Sequence, residues 1–529
     1  MKKALLAYLA GGLLVFSPVL SAWFVADDWD FLTLVAQAVS PAIAFTPLVG
    51  RFIRPLVVAT YYVNYGLFGL WPLPYHLVVV VVHAVDAWLV SLLARALGLS
   101  TLVAGGAGLI FLVFAGHSEA VSWVAGAADP WLVLFLVTAL LLFNRALIAR
   151  RPTPWITGAC ATAAAGVLAK ETAAIAPALF FVYGLSKLAT VTPAFERRRV
   201  LARTLAASGC LSAIAFASLA LRARVFGSVL GAYTQLGTSE GMSLAIARAF
   251  LLRAFVPSGE WLMQLWLRGY DMILIAFAII LAVIVFVRRP GARAALAFLT
   301  AGCVLALGPA LPLSIALHNS VSERYVYVAT VFSSILEAWS AELLVGGRRG
   351  FAIIAIAVLA GWQLVALERE NRNWTAAGQL GRAVTGDVIQ RVRAADGPTR
   401  FFILNVPDTA NGAFVVRAAL YGSFHLMAPD VVDPERRVVS VASSALVSAA
   451  EHARVEQTGA RSFRIRQDFG NFLQATAPAS TPDYAFDRWD GRGYNVTFAP
   501  SPISAEVLYV SRGRVGTAGV LVPTADHRE

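Results

Sequence analysis

The chain has 529 residues, 58% of them hydrophobic and only 14% charged. Soluble domains carry about 25% charged residues, so a single soluble core is excluded and a polytopic α-helical membrane protein is expected. The formal net charge of +12 calls for no nucleic-acid partner, because Lys and Arg kept on cytoplasmic loops make a chain basic by themselves.

The first apolar run, Leu5 to Val25, follows Lys2 and Lys3 and is long enough to span a bilayer. It reads as an uncleaved helix with the N-terminus in the cytoplasm. It ends in Asp27-Asp28-Trp29-Asp30, three carboxylates at the outer lipid–water boundary. Next, Arg54-Pro55 opens an apolar stretch rich in Tyr, Asn and Gly that runs to Leu70. An interfacial helix on the outer face suits it, because counting it as a span would put every later basic loop on the wrong side.

The remaining apolar runs are Pro74–Leu97, Leu102–Ala115, Pro130–Ile148, Trp155–Leu168, Ala173–Ala189, Thr204–Leu221, Met272–Val287, Ala294–Leu313, Tyr325–Leu344 and Phe351–Leu367. With the first helix they make about eleven spans. Arg95, Arg145, Arg150 and Arg151, then Lys187 and Arg197 to Arg203, then Arg288, Arg289 and Arg293, then Arg348 and Arg349 all fall inside. In the long outer loop from Arg222 to Tyr270, Met242–Val256 reads as another interfacial helix, with Arg248 and Arg253 interleaved. Residues 1–367 thus form a membrane module, and 368–529 a small extracytoplasmic α/β domain. In that domain a helix is expected over Asn371–Ala394 and strands over Phe401–Val406 and Asn495–Ala499. Cys160, Cys210 and Cys303 sit in apolar runs and read as small buried hydrophobes, not as disulfides or metal thiolates.

The outer ends gather mixed charge: Asp27, Asp28, Asp30, Arg54, His117, Glu119, Asp129, Lys170, Glu171, His318, Glu323 and Arg324. Ionisable groups at membrane depth usually face a cavity or a partner. Cations there suit an anionic lipid headgroup, Arg being the better fork for phosphate. A carboxylate suits deprotonation of an acceptor hydroxyl. That chemistry fits sugar transfer from a polyprenyl phosphate. Asp27 and Asp28 are the base candidates, with a slight preference for Asp28; the plainer reading is an acidic helix end. Arg324, Lys170 and Arg54 are candidates for the phosphate. For Lys170-Glu171 the plainer reading is a turn whose charges pair with each other, and for Arg54 and Arg324 it is interfacial anchoring. His117, Glu119, Glu171 and, more weakly, His76 are candidates for the acceptor. His117-x-Glu119 alone is weak evidence for a metal. His83 and Asp86, one turn apart, are expected to bond each other or a neighbour.

Five short motifs occur in order: Asp27-Asp28-Trp29; Phe52-Ile53-Arg54-Pro55-Leu56; His117-Ser118-Glu119-Ala120-Val121-Ser122-Trp123; Leu168-Ala169-Lys170-Glu171; and Glu323-Arg324-Tyr325-Val326-Tyr327. Over roughly residues 1–370 the chain resembles the GT-C superfamily of integral-membrane glycosyltransferases, closest to its protein O-mannosyltransferase-like branch. The tetratricopeptide repeats of one part of that branch do not follow here. The resemblance implies a polyprenyl- or dolichyl-phosphate sugar donor, inverting transfer on the outer face and interfacial helices in the first loop; whether the acceptor is a protein or a glycan is left open. It implies Asp27 or Asp28 as base and Arg324 on the donor phosphate. The superfamily has metal-dependent and metal-independent members, which leaves a divalent ion (Mg or Mn) open. A bacterial inner membrane is the setting expected. The competing reading, a transporter or flippase for lipid-linked sugars, predicts paired halves or broken helices near the midplane, and no internal symmetry is visible.

Overall fold

The structure, a computed structural model, describes residues 2–47, 52–191, 193–229, 243–416, 419–473 and 481–523; residues 230–242 of the predicted outer loop lie outside these. The helices of the apolar part are α1 (Lys2–Val15), α2 (Asp28–Ala36), α3 (Pro55–Phe68), α4 (Pro72–Ala96), α5 (Thr101–Leu112), α6 (Ser118–Ser122), α7 (Ala128–Ile148), α8 (Thr153–Val167), α9 (Ala176–Leu188) and α10 (Ala194–Phe226). They continue with α11 (Leu244–Arg253), α12 (Glu260–Leu267), α13 (Asp271–Arg288), α14 (Arg293–Leu307), α15 (Tyr327–Leu344) and α16 (Arg349–Ala394). The chain packs as two compact units. One holds residues 1–20 and 39–371; the other holds Ser21–Ala38 together with Arg372–Glu529. The acidic stretch expected to belong to the membrane module thus groups with the C-terminal part.

In the first unit a helix lies at each of the eleven expected positions. By length and composition, five described helices can cross a membrane alone, or up to seven if two bent pairs each form one span. Eleven spans are therefore not established. The reason is length: α5, α8 and α9 have 12, 15 and 13 residues, about 18–23 Å of rise against a hydrocarbon core of about 30 Å. The first helix also stops at Val15 rather than Val25. Pro18 lacks an N–H, and its ring would clash with the carbonyl four residues back. That carbonyl, of Leu14, accepts the Ser17 hydroxyl at 2.8 Å instead, and the chain goes on as a 3-10 turn over Ser17–Ser21.

Local chemistry sets the other boundaries. Pro72 opens α4 at its first turn, where its fixed φ suits a helix. Gly98, at φ +86, lets the chain leave it. Ser100 caps α5 by accepting from the Val103 amide at 3.1 Å. Within the unit α4 packs on α1, α5 and α7, α7 on α8, α9 on α10, and α15 on α5 and α14. At Gly108 the contact is so close that a Cβ would lie 2.3 Å from the Tyr8 hydroxyl and 2.7 Å from the Ala87 carbonyl oxygen. Cys160 and Cys303 are buried, but Cys210 lies on an exposed face of α10, contrary to expectation; none is in a disulfide.

The second unit is sheet-rich. The predicted helix over Asn371–Ala394 and the predicted last span are one 46-residue helix, α16. Of this helix, the second unit holds the residues from Arg372 on. After it come strands β1 (Arg400–Ile403), β2 (Val406–Ala410), β3 (Ala413–Phe414), α17 (Leu420–Met427), α18 (Pro434–Arg437), β4 (Val438–Ser440), β5 (Ser443–Leu446), β6 (Ala453–Gly459), β7 (Ser462–Gln467), β8 (Asn471–Phe472), β9 (Tyr484–Trp489), β10 (Gly493–Phe498), β11 (Ala505–Ser511) and β12 (Arg514–Leu521). They form three four-stranded sheets in the orders β12-β11-β1-β4, β6-β7-β10-β9 and β3-β2-β5-β8. In the first, β1 runs parallel to both β11 and β4. Alternate burial along β7 follows the two-residue period of a strand with one covered face. The core is aromatic: Phe402, Phe463, Phe472, Tyr484, Tyr494 and Phe498 pack together, and the Tyr494 hydroxyl reaches the Leu404 carbonyl.

Candidate functional site

The acidic stretch is held by the second unit's own backbone. Ala26 adopts φ +43 and donates its N–H to the Val415 carbonyl at 2.9 Å. The turn then enters α2, whose face packs on α17. Asp28 is buried, and its Oδ2 accepts the Val25 N–H at 2.9 Å, so its carboxylate secures the turn. Asp27 is only partly buried, and its side chain makes no hydrogen bond or ion pair among the described residues. The sequence reading leaned to Asp28; the geometry leaves Asp27 as the carboxylate with free valence. Asp30 is also only partly buried.

In the first unit, charged side chains of the predicted loops meet one another. Lys170 donates to both Asp129 oxygens at 2.7 Å. Glu171 faces Arg54 at 3.8 Å and Arg222 at 3.5 Å. Neighbours in sequence therefore do not pair with each other: the turn sends Lys170 toward α7 and Glu171 toward the ends of α3 and α10. Arg324 binds Glu119 twice, through its guanidinium and through its backbone N–H at 3.0 Å. Its guanidinium also lies over the rings of Trp123 and Tyr325, 5.2 and 4.6 Å from their centroids, and donates to the Tyr325 hydroxyl at 3.0 Å. Next to it, Glu323 is fully buried and takes Arg253, Ser118 at 3.0 Å and Ser258 at 3.1 Å. Lys170 lies 5.5 Å from the Tyr325 ring centroid. A small cavity is lined by Asp129, Lys170, Thr172, Leu313, Tyr325 and Val328.

The electrostatics follow from burial and partners. Burial works against the Glu171 charge, but Arg54, Arg222 and Lys170 outweigh it and hold the carboxyl below its usual range. Burial draws the Lys170 ammonium below its usual range, and Asp129 restores only part of the loss.

Two expected acceptor residues have other surroundings. His117 is fully buried: its Nε2 bonds the Thr330 hydroxyl at 2.7 Å, and its ring packs on Phe111 and Tyr327 at 4.5 and 4.4 Å. It is a core histidine in an aromatic cluster. His76 is buried near the start of α4. His83 and Asp86 do not bond each other; both bond the Tyr327 hydroxyl, at 2.7 and 3.0 Å. No three His, Cys, Asp or Glu side chains among the described residues come together as a metal site. His117 and Glu119, engaged as they are, do not fit a divalent ion.

Sequence reasoning missed two arginines. Arg253, expected on an interfacial helix, is wholly buried and neutralised by Glu323. Arg222 closes on Glu171. The usable signal was an arginine inside an apolar run, which demands a partner; the partner, 70 or 51 residues away in sequence, carried no signal.

No family model matches the chain. Its sequence aligns with the protein O-mannosyl-transferase Tmtc1 of Drosophila melanogaster at 39% identity over 120 residues, 23% of this chain and 14% of the fly protein. It aligns with TMTC2 of Mus musculus at 31% over 167 residues, 29% of this chain and 20% of the mouse protein. The chain is similar to protein O-mannosyl-transferases. The likeness is local, and most of each relative's length lies outside the match. Among solved structures, ArnT from Cupriavidus metallidurans in the apo state aligns with TM-score 0.46 and 13% identity over 93% of this chain and 97% of that one. The apo Archaeoglobus fulgidus oligosaccharyltransferase aligns with TM-score 0.45 and 15% identity over 83% and 64%. Scores of this size do not establish a shared fold.

Proposed function

We propose that the protein is a GT-C-type glycosyltransferase of a bacterial plasma membrane, with its N-terminus in the cytoplasm and its C-terminal unit outside. It takes a sugar from a polyprenyl-phosphate carrier and passes it to an acceptor hydroxyl at the outer face. The observation that carries this reading is the 39% identity with a protein O-mannosyl-transferase. The paired charges of the loops supply suitable chemistry. The hydroxyl gives its proton to a carboxylate, for which Asp27 is favoured over Asp28 because Asp28 already holds the Val25 amide. The hydroxyl oxygen bonds the anomeric carbon as the bond to the phosphate oxygen breaks, and a single displacement inverts that centre. The carrier phosphate leaves with the electron pair and stays on its lipid, and Arg54, Lys170 and Arg324 of the first unit are the candidate cations for its charge.

The test is transfer by the purified protein from a panel of polyprenyl-phosphate sugars. Wild type should turn over at least one donor. Asp27→Asn should lower turnover by about 100-fold or more while donor binding persists. Equal turnover in wild type, Asp27→Asn and Asp28→Asn would remove the proposed base. No transfer from any donor, with transport of lipid-linked sugar in proteoliposomes, would replace the reading with a flippase.

A further inference from the structure

His83 and Asp86 stand one turn apart on α4, and no step of the proposed transfer uses them. Both are fully buried, as is Tyr327, the first residue of α15. The His83 Nε2 lies 3.0 Å from the Leu112 carbonyl at the end of α5. A carbonyl only accepts, so this nitrogen carries a hydrogen. The Tyr327 hydroxyl meets His83 Nδ1 at 2.7 Å and Asp86 Oδ2 at 3.0 Å. Each contact needs a hydrogen between its two heavy atoms, because lone pairs facing each other at such distances repel. A phenol has only one to give. A carboxylate, a phenol and a neutral imidazole are therefore one proton short of the two contacts. The Oδ1 of Asp86 is buried with no hydrogen-bond partner among the described residues, so a bare carboxylate here would be a costly unpaired charge.

We propose that Asp86, Tyr327 and His83 share one additional proton, as a triad of zero net charge that fixes the turn carrying Glu323 and Arg324. In one form an Asp86 acid donates to the phenol, which donates to a neutral His83. In the other an imidazolium donates to the phenol, which donates to the carboxylate. The forms differ by the shift of one proton within each contact, and neither leaves a net charge in the core. Tyr327 directly follows the 3-10 turn Glu323–Val326. Its hydroxyl ties that turn to α4 and, through His83, to the end of α5. The Thr330 hydroxyl braces the same place: it donates to the Tyr327 carbonyl at 2.7 Å and accepts from His117 Nε2 at 2.7 Å. Asp86 and Tyr327 are thus positioning residues for Arg324. That role rests on the function proposed above; the proton count does not.

The test of the proton is spectroscopic and independent of sugar transfer. Infrared difference spectra of wild type against Asp86→Asn, for the full-length protein in nanodiscs at neutral pH, read the carbonyl stretch of a carboxylic acid and its shift in heavy water. Nitrogen NMR of labelled histidines, with His83→Gln for assignment, reads an imidazole protonated on both nitrogens. One of the two signals is expected. A carboxylate signal for Asp86 together with a singly protonated His83 overturns the triad. The amide of Asp86→Asn can donate to Tyr327 while Tyr327 donates to His83, which satisfies both contacts without the additional proton. This variant should keep its midpoint of thermal unfolding within about 2 °C of wild type, whereas Asp86→Leu and Tyr327→Phe should fall well below it. An Asp86→Asn variant as unstable as Asp86→Leu counts against the shared proton. In the transfer assay, Asp86→Asn should keep the wild-type KM for donor and Tyr327→Phe should raise it severalfold. If Tyr327→Phe does not fold, Asp86→Leu takes its place. Unchanged KM in both would remove the positioning role and keep the proton. Absence of transfer in wild type would remove the reaction and leave the spectra to decide the triad.

Discussion

At the scale of single residues, the charged side chains of the first unit come in sets that burial makes interdependent. Glu323 and Arg253 are both fully enclosed. Removing one partner of such a pair leaves an uncompensated charge at a cost of about 3–5 kcal/mol. Glu323→Gln should therefore lower the midpoint of thermal unfolding sharply. Arg253→Met combined with Glu323→Gln should recover part of the loss, which a double-mutant cycle in detergent would read. Glu171 adds a pH dependence. Its folded-state value lies below its unfolded one, so its contribution to stability is full above the ordinary carboxylate range. It fades as pH falls through the lowered folded value. Glu171→Gln should be less stable than wild type at neutral pH, and the gap should close on acidification. The sequence revealed which residues were charged at the outer ends, because each interrupts an apolar run. It did not reveal the pairings. Lys170-Glu171 looks like a self-paired turn in one dimension, and only the fold sends the two side chains to different partners.

At the scale of elements, the apolar runs located the helices well, since a helix through lipid must be apolar over its whole length. Their ends were less legible where the cause was a contact or a single proline. Pro18 shortened the first helix, and the fusion of the last span with the next helix had no composition marker, because the polar surface simply begins midway along α16. Helix packing was not legible at all. Gly108 sits where α5 meets Tyr8 of α1 and the backbone of α4. Gly108→Ala should raise helix propensity yet destabilise the unit, by about 1–3 kcal/mol from overpacking. Tyr8→Phe, which removes the hydroxyl nearest the added methyl, should return some of that stability. Thermal unfolding of the single and double variants separates overpacking from propensity.

At the scale of the whole molecule, the division into units crosses the order of the chain. The C-terminal part was legible as a separate α/β region from its polarity and alternating strands. The membership of Ser21–Ala38 was not, since it depends on contacts such as Ala26 with Val415 and α2 with α17. Residues 372–529 expressed alone should lack the segment that covers α17. Such a fragment should be cut quickly by protease and bind dyes for exposed apolar surface. A synthetic peptide of residues 21–38 should protect it, and a peptide with Trp29→Ala should protect it less, because Trp29 is buried and packs beside Gly422. Protection equal with and without peptide would mean the C-terminal part is self-sufficient.

The same interrupted unit sets a timetable for synthesis. Ser21–Ala38 leaves the ribosome roughly 330 residues before the rest of its unit begins. At about 5–20 residues per second, α2 waits for some tens of seconds with Trp29, Phe31 and Leu32, all enclosed in the finished fold, still uncovered. During that interval the segment carrying Asp27 exists as an unfinished surface, open to holdase chaperones or to the wrong neighbour. A ribosomal pause placed after the last membrane helix would lengthen the exposure, and faster translation of residues 372–529 would shorten it.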